Sequence, residues 1–257
     1  MRASWILKTA AHLQKVALWS LEDIVWDDIV AVPQKDIAVI KEPFPHIVVD
    51  NFFTPEVYQG LSQRFADVAS LGLSDTINDA TRFHLFDMDY DGYLFMPRCS
   101  LAPSDPLRIF FSLEWNMFFS KLFSQHTGFE TSLAFHHHPP HNRTGFVHSD
   151  FADKYFNLTS RLPNGVIPYA TLDKSLTPRR RIIALLYFLN NDGWREGMGG
   201  ETGLYAKDMK TLVKKVAPIN NRLLAFHISP HSMHAFQENH TPRNSFVQWF
   251  HIPKELL

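Results

Sequence analysis

A single cysteine, Cys99, stands among the 257 residues of the chain. A lone thiol excludes an internal disulfide framework and suits the reducing cytoplasm. On an apolar predicted strand it reads as a packed core residue, not a nucleophile. Long hydrophobic runs are missing too: no stretch of roughly eighteen apolar residues occurs, so no membrane-spanning helix is expected. The N-terminus carries Arg2 and Lys8 but no apolar segment followed by a signal cleavage site. The three Asn-x-Thr triplets, starting at Asn142, Asn157 and Asn239, therefore read as chance. Charge of one sign is also scarce. The formal net charge is -1, which leaves no electrostatic case for nucleic acid. Internal repeats and low-complexity tracts are absent.

What the chain does have is ordinary globular composition, with 45% hydrophobic and 20% charged residues, and an unusual supply of phenylalanine, at 22. A core rich in aromatic packing follows. The length fits one large catalytic domain, spanning 44–257, preceded by a helical extension over 1–43. Within that extension Ile6, Ala10, Leu13, Ala17, Leu21 and Ile24 recur at helical spacing, which predicts a helix over 5–29. It either packs on the outside of the main sheet or pairs two copies as a homodimer.

The segment PFPHIVVDNFF, residues 43–53, reads as a strand entering the domain. Thr54 then resembles an N-cap with Pro55 at the first helical position, and Val57, Leu61, Phe65 and Val68 fall on one helix face. A second helix is predicted from Asp105-Pro106, carrying Leu107, Phe110, Phe111, Leu113, Trp115, Phe118, Phe119 and Leu122. From Thr131 onward the pattern changes to short β segments at 132–137, 145–150, 181–190, 202–205, 222–228 and 245–252. Glycine, proline and asparagine punctuate them, as in an antiparallel barrel or jelly roll. The polar stretch 157–178 does not read as a strand, and a loop of that length is expected to be a lid over the site.

Chemistry concentrates at two places. His148 and Asp150 are one residue apart at the end of a predicted strand, where alternate side chains share a face. An imidazole and a carboxylate then project together, a weak signal alone. Downstream, NRLLAFHISPHSMHAFQENHTPRNSFVQWF places His234 nine positions before Arg243, with Ser245 alternating on the same strand. Two histidines and one carboxylate leave three positions on a metal open, the facial triad of non-haem iron(II) oxygenases. A buried arginine on an inward face needs an anion, and a dicarboxylic acid supplies one through a bidentate pair.

Three blocks, TGFVHSD (144–150), RIIALLYFLNNDGWREGMGGETGLY (181–205) and the 221–250 segment above, resemble the prolyl-4-hydroxylase-like 2-oxoglutarate oxygenases. With PFPHIVVDNFF the likeness spans roughly 44–252. The resemblance implies a mainly β fold with flanking helices, a double-stranded β-helix or jelly roll. It implies iron(II), 2-oxoglutarate and O2 as cofactor and cosubstrates, release of succinate and possible stimulation by ascorbate. Carried over residue by residue, His148, Asp150 and His234 are the catalytic metal ligands. Arg243 pairs with the distal carboxylate, supported by Ser245, and His138 contacts the cosubstrate. The chain departs from the family at Phe188 and His138, where tyrosines are frequent, and at Val247, where threonine is frequent.

Other residues invite alternatives. His136, His137, His138 and His141 suggest a metal site, but consecutive side chains on a strand alternate faces; one histidine is expected to face the site and the others to pack or lie exposed. His231 competes with His234 as third ligand, and the step to Arg243 favours His234. His240 and His251 read as structural. Arg179, Arg180 and Arg181 form either a solvated strand entrance or an anion clamp. Asp87, Asp89 and Asp91 either greet a cationic substrate or sit on an exposed turn. Gly199 and Gly200 read as a tight turn between strands, since no helix N-terminus follows to make a phosphate cradle. The expected activity is hydroxylation of an unactivated C–H bond in a small molecule such as an amino acid or natural-product intermediate. The alternatives are hydroxylation of a peptide and a non-catalytic jelly-roll binding role.

Overall fold

The computed structural model describes residues 26–70, 105–168 and 170–256, together with the backbone of 76–77, 80–84 and 93–97. The predicted N-terminal helix lies outside them as far as residue 25, as do Cys99 and the Asp87, Asp89, Asp91 series. Helix α1 (Trp26–Ile29) and strand β1 (His46–Val49) lead into helix α2 (Pro55–Ser70). Short strands β2 (Thr76–Ile77), β3 (Ala80–His84) and β4 (Tyr93–Pro97) follow. A 3-10 helix (Pro106–Phe111) and helix α3 (Leu113–Leu122) come next. The remaining strands are β5 (Thr131–His138), β6 (Asp153–Phe156), β7 (Thr177–Phe188), β8 (Thr202–Tyr205), β9 (Leu212–Val216), β10 (Arg222–His227), β11 (His234–Phe236) and β12 (Arg243–Pro253).

They form two antiparallel sheets. The larger runs β1-β10-β7-β12-β5-β4-β3-β2, with β6 added to β7; the smaller runs β11-β8-β9. This is the mainly β, double-stranded β-helix architecture with flanking helices, and it is not a closed barrel. Among the described residues no helix is long and apolar enough to cross a membrane.

The central strands are covered on both faces, so they read as continuous apolar runs. On β7, Ile183, Leu185 and Tyr187 join the cluster packed against α2 and α3, with Phe65, Trp115 and Phe119. The intervening Ala184, Leu186 and Phe188 face the small sheet, meeting Leu204 and Val216. The same alternation on β12 sends Phe246 and Phe250 to the helices and Val247 and Trp249 inward. Gln248, buried on the helix side, accepts from Trp115 Nε1 at 2.8 Å. One side of the large sheet is therefore structural, and the other lines a chamber.

Several expected elements take a different form. The helix from Pro106 is broken at Ser112. Asp105 caps the 3-10 turn by accepting from Leu107 N at 3.0 Å. Ser112 closes that turn and caps α3, its Oγ accepting from Trp115 N at 3.2 Å. The predicted strand 145–150 is an extended segment with a single bridge, His148 to His234. Its neighbour β11 is only 3 residues long and cannot support a full ladder. β6 and β9 were not foreseen; β9 is largely exposed, so its LVKKV pattern lacks a buried face.

The 157–178 stretch is not a lid over the triad. Val166 and Ile167 are 1% exposed and Ala170 packs with Phe156, so the loop is pinned by its own apolar residues. The β6–β7 register, Asp153 with Arg180 to Phe156 with Thr177, also carries it away from Asp150. Three residues of strand amount to about 10 Å.

Gly199 and Gly200 do form a turn, leading into β8, with φ of 74° and 79°. A Cβ on Gly199 would meet Glu238 O at 2.0 Å, and one on Gly200 would press on the stem of Arg243 at 3.4 Å. Gly199→Ala combines a disfavoured φ, about 1–2 kcal/mol, with a backbone collision. It is expected to destabilise the fold by more than about 2 kcal/mol. Thermal unfolding would check this, and an unchanged midpoint would mean the turn relaxes freely.

Candidate active site

His148 lies in the extended segment and His234 opens β11; their backbones exchange hydrogen bonds in both directions, His148 N to His234 O at 3.0 Å and His234 N to His148 O at 2.9 Å. The two imidazoles are thus direct cross-strand neighbours, with ring centroids 4.5 Å apart. Each ring is set the same way. Nδ1 of His148 meets Phe146 O at 3.0 Å, and Nδ1 of His234 meets Ser232 O at 3.1 Å. A carbonyl can only accept, so Nδ1 carries the proton in both and Nε2 is left with its lone pair. Asp150 completes the group: the ligand atoms of His148, Asp150 and His234 all lie within 4.8 Å of one another.

Asp150 is held from two sides. Arg181 Nη1 donates to Oδ1 at 3.0 Å, and Trp249 Nε1 donates to Oδ2 at 2.7 Å. The Arg181 guanidinium also stacks over the Trp249 ring at 4.0 Å. Burial would raise the Asp150 carboxyl, but Arg181, His234, His148 and the Trp249 N–H together hold it well below the usual carboxylate range. Two neutral imidazoles with free Nε2 atoms and one permanently ionised carboxylate are the donor set that a divalent iron fits.

The rest of the chamber comes from β12 and β5. Arg243, Ser245, Val247 and Trp249 of β12 pair with His138, His136, Ala134 and Ser132 of β5, all on the inner parity. Arg243 is 4% exposed; its Nη2 donates to Thr202 Oγ1 at 3.1 Å, and its guanidinium lies 5.1 Å from the Phe188 ring and 5.6 Å from Phe236. Phe236 also stacks on His138 at 4.4 Å. Phe236, next to the guanidinium, is two residues from His234 on β11, about 7 Å along the strand.

Not one but two of the clustered histidines face this chamber. His136 and His138 share the inner face, with ring centroids 6.1 Å apart, while His137 turns outward and its Nδ1 meets Asn244 Oδ1 at 2.7 Å. His141 and His240 are exposed. His231 is an exposed turn residue outside the triad. His251 is buried, its Nδ1 at 3.2 Å from Glu130 O. The three arginines are neither solvated nor a shared clamp. Arg179 pairs with Glu130 at 2.6 Å, Arg180 with Asp153 at 2.5 Å and Arg181 with Asp150.

Sequence reasoning missed Arg181, Trp249 and His136. The last two were detectable by parity, since Trp249 is six residues from Arg243 and His136 two from His138. Arg181 was not, because a register shift between Phe250 and His251 alters the pairing beside it.

Burial, reinforced by the His148 charge, lowers His234 to about 4; burial, reinforced by Arg243, lowers His136 to about 3. The unfolded chain therefore binds protons that the folded chain refuses. Stability falls as pH drops below about 6.5, by about 1.4 kcal/mol per pH unit for each such histidine. The metal-free protein is expected to lose unfolding midpoint steeply between pH 7 and pH 5. A flat midpoint would mean that these rings take up protons without unfolding.

No curated protein matches the chain in a sequence search. The family described as the 2OG-Fe(II) oxygenase superfamily matches over residues 133–251, which contain the triad, Arg243 and both inward histidines. Among solved structures, a Pseudomonas putida prolyl-4-hydroxylase is similar at a TM-score of 0.56 and 14% identity, over 80% of this chain and 91% of that one. A Trichoplax adhaerens prolyl hydroxylase in complex with a hypoxia inducible factor peptide fragment is similar at 0.50 and 15% identity, over 82% and 84%. At these identities the structural likeness speaks for the fold. The family match and the His-x-Asp…His donor set speak for the chemistry: residues 133–251 carry a 2OG-Fe(II) oxygenase domain, and the chain is a 2-oxoglutarate-dependent dioxygenase using iron(II).

Proposed function

We propose that this dioxygenase hydroxylates an unactivated C–H bond of a small molecule, such as an amino acid or a natural-product intermediate. The observation that carries the reading is the convergence of His148, Asp150 and His234 beside a buried Arg243 in one chamber. Iron(II) and 2-oxoglutarate, when bound, supply the oxidising chemistry: O2 gives one atom to succinate as CO2 leaves and the other to the C–H bond. His148 and His234 hold the metal through Nε2, each fixed by the carbonyl two residues before it. Asp150 holds it through a carboxylate that Arg181 and Trp249 keep ionised and aimed. Arg243 receives the distal carboxylate, with Ser245 and His138 beside it. The carboxylate of Asp150 fills the position a halide would need, which favours hydroxylation over halogenation. Iron(II) must stay reduced, so a cytoplasmic setting and stimulation by ascorbate accompany this reading.

A small substrate is supported by the edge nearest the triad. Peptide recognition by strand addition needs a free sheet edge. The outer edge of β11 is already engaged, with Gly145 N donating to Phe236 O at 3.0 Å and His148 paired to His234. Hydroxylation within a peptide is the second reading, favoured by the fold shared with the prolyl hydroxylases. The test is a screen of amino acids and peptides for substrate-stimulated succinate release, with mass spectrometry for a gain of one oxygen. Stimulation confined to peptides overturns the small-molecule reading. Absence of 2-oxoglutarate turnover under every condition, with iron bound, overturns the activity.

A further inference from the structure

Nε2 of His136 and Oγ of Ser245, both fully shielded, have no hydrogen-bond partner among the described residues. They belong to one rung, since Ser245 pairs with His136 across β12 and β5. Buried donors and acceptors are almost always matched, and leaving them unmatched is costly. Two orphans side by side, facing the same space, therefore point to a polar ligand that completes both.

The position of His136 says which ligand. Its ring is 6.1 Å from that of His138, which pairs with Arg243, and 6.2 Å from that of Trp249, whose indole donates to Asp150. It thus lies between the proposed carboxylate anchor and the proposed metal. Phe188, which pairs with Ser245 on the other side of β12, brings no polar side-chain atom to the same wall.

We infer that His136 is a binding residue for 2-oxoglutarate, giving with Ser245 the polar contact along the cosubstrate that a phenylalanine at 188 cannot give. The inference rests on the oxygenase reading of the chamber. Burial and the nearby Arg243 keep the ring neutral. A neutral imidazole offers one N–H and one lone pair, so it meets an acceptor without adding a third charge to a chamber that already holds Arg243 and Arg181.

The experiment is calorimetric titration of 2-oxoglutarate into anaerobic, iron(II)-loaded protein, with iron affinity measured separately. His136→Leu keeps an apolar body of similar size and is expected to weaken 2-oxoglutarate binding about fivefold or more, leaving iron affinity within about twofold. His136→Gln restores a polar contact and is expected to recover most of the loss, a recovery that a purely packing role would not produce. Equal affinity for 2-oxoglutarate in wild type and His136→Leu overturns the inference, as does equal loss in both variants. Wild-type protein that binds iron but not 2-oxoglutarate would instead overturn the oxygenase reading itself.

Discussion

His234→Ala is expected to abolish iron(II)-dependent turnover of 2-oxoglutarate, and His231→Ala to leave most of it. The two histidines are three residues apart, yet the fold treats them differently. Ser229, Pro230, His231 and Ser232 form a turn closed by Ser232 Oγ donating to Ser229 O at 2.9 Å, and His231 points from it into solvent. His234 begins β11, 7% exposed, its backbone locked to His148 and its Nε2 3.7 Å from Asp150 Oδ2. Loss of a partner that merely orients a ligand typically costs 10–100-fold in metal affinity, so loss of the ligand itself should cost at least about a hundredfold. Metal content after dialysis and succinate release together make the test, with circular dichroism to show that the variant folds. Retained iron in His234→Ala, or its loss in His231→Ala, would reverse the proposed ligand set. Asp150 is a poorer first target. Removing its carboxylate also strands the buried Arg181 guanidinium, and an uncompensated buried charge destabilises the fold whatever the metal does.

Much of this site is legible in the sequence because it is written in strand parity. Arg243 and Ser245 alternate on β12, and the nine-residue step back to His234 crosses one turn between strands. These relations survive in any sequence folded this way. His148 and Asp150 show the limits of the rule: they reach the candidate metal site without a regular strand beneath them, because β11 offers too short a partner. What stays hidden depends on contacts across the sheets. Arg181 was indistinguishable from Arg179 and Arg180 until Glu130, Asp153 and Asp150 each took one. The 157–178 stretch looked polar enough to be a lid, yet a few apolar residues, Val166, Ile167 and Ala170, are enough to pin it. Composition reports the average of a segment, whereas anchoring depends on where two or three side chains land.

Arg243→Ala is expected to weaken 2-oxoglutarate binding by at least about tenfold while iron binding survives. The guanidinium is 4% exposed, flanked by Phe188 and Phe236, with Gly200 closing on its stem. Thr202 Oγ1 accepts from Nη2 at 3.1 Å. In such surroundings a carboxylate accepting two parallel hydrogen bonds is the matching anion, and a lysine cannot reproduce that fork. Hydrogen bonds to charged groups contribute about 1.5–3 kcal/mol each, and about 1.4 kcal/mol is a factor of ten. The Arg243→Lys variant should therefore fall between wild type and alanine. The measurement is a titration of 2-oxoglutarate into anaerobic iron(II)-loaded protein, following the metal-to-cosubstrate charge-transfer band. An unchanged dissociation constant would mean that another cation holds the carboxylate. The Arg179–Arg181 run is a poor substitute, because each of its guanidinium groups already engages a carboxylate and Arg181 is stacked on Trp249. Recruiting Arg181 would require it to release Asp150, so that outcome would appear together with weakened iron binding. Loss of 2-oxoglutarate affinity at constant iron affinity is the result that singles out Arg243.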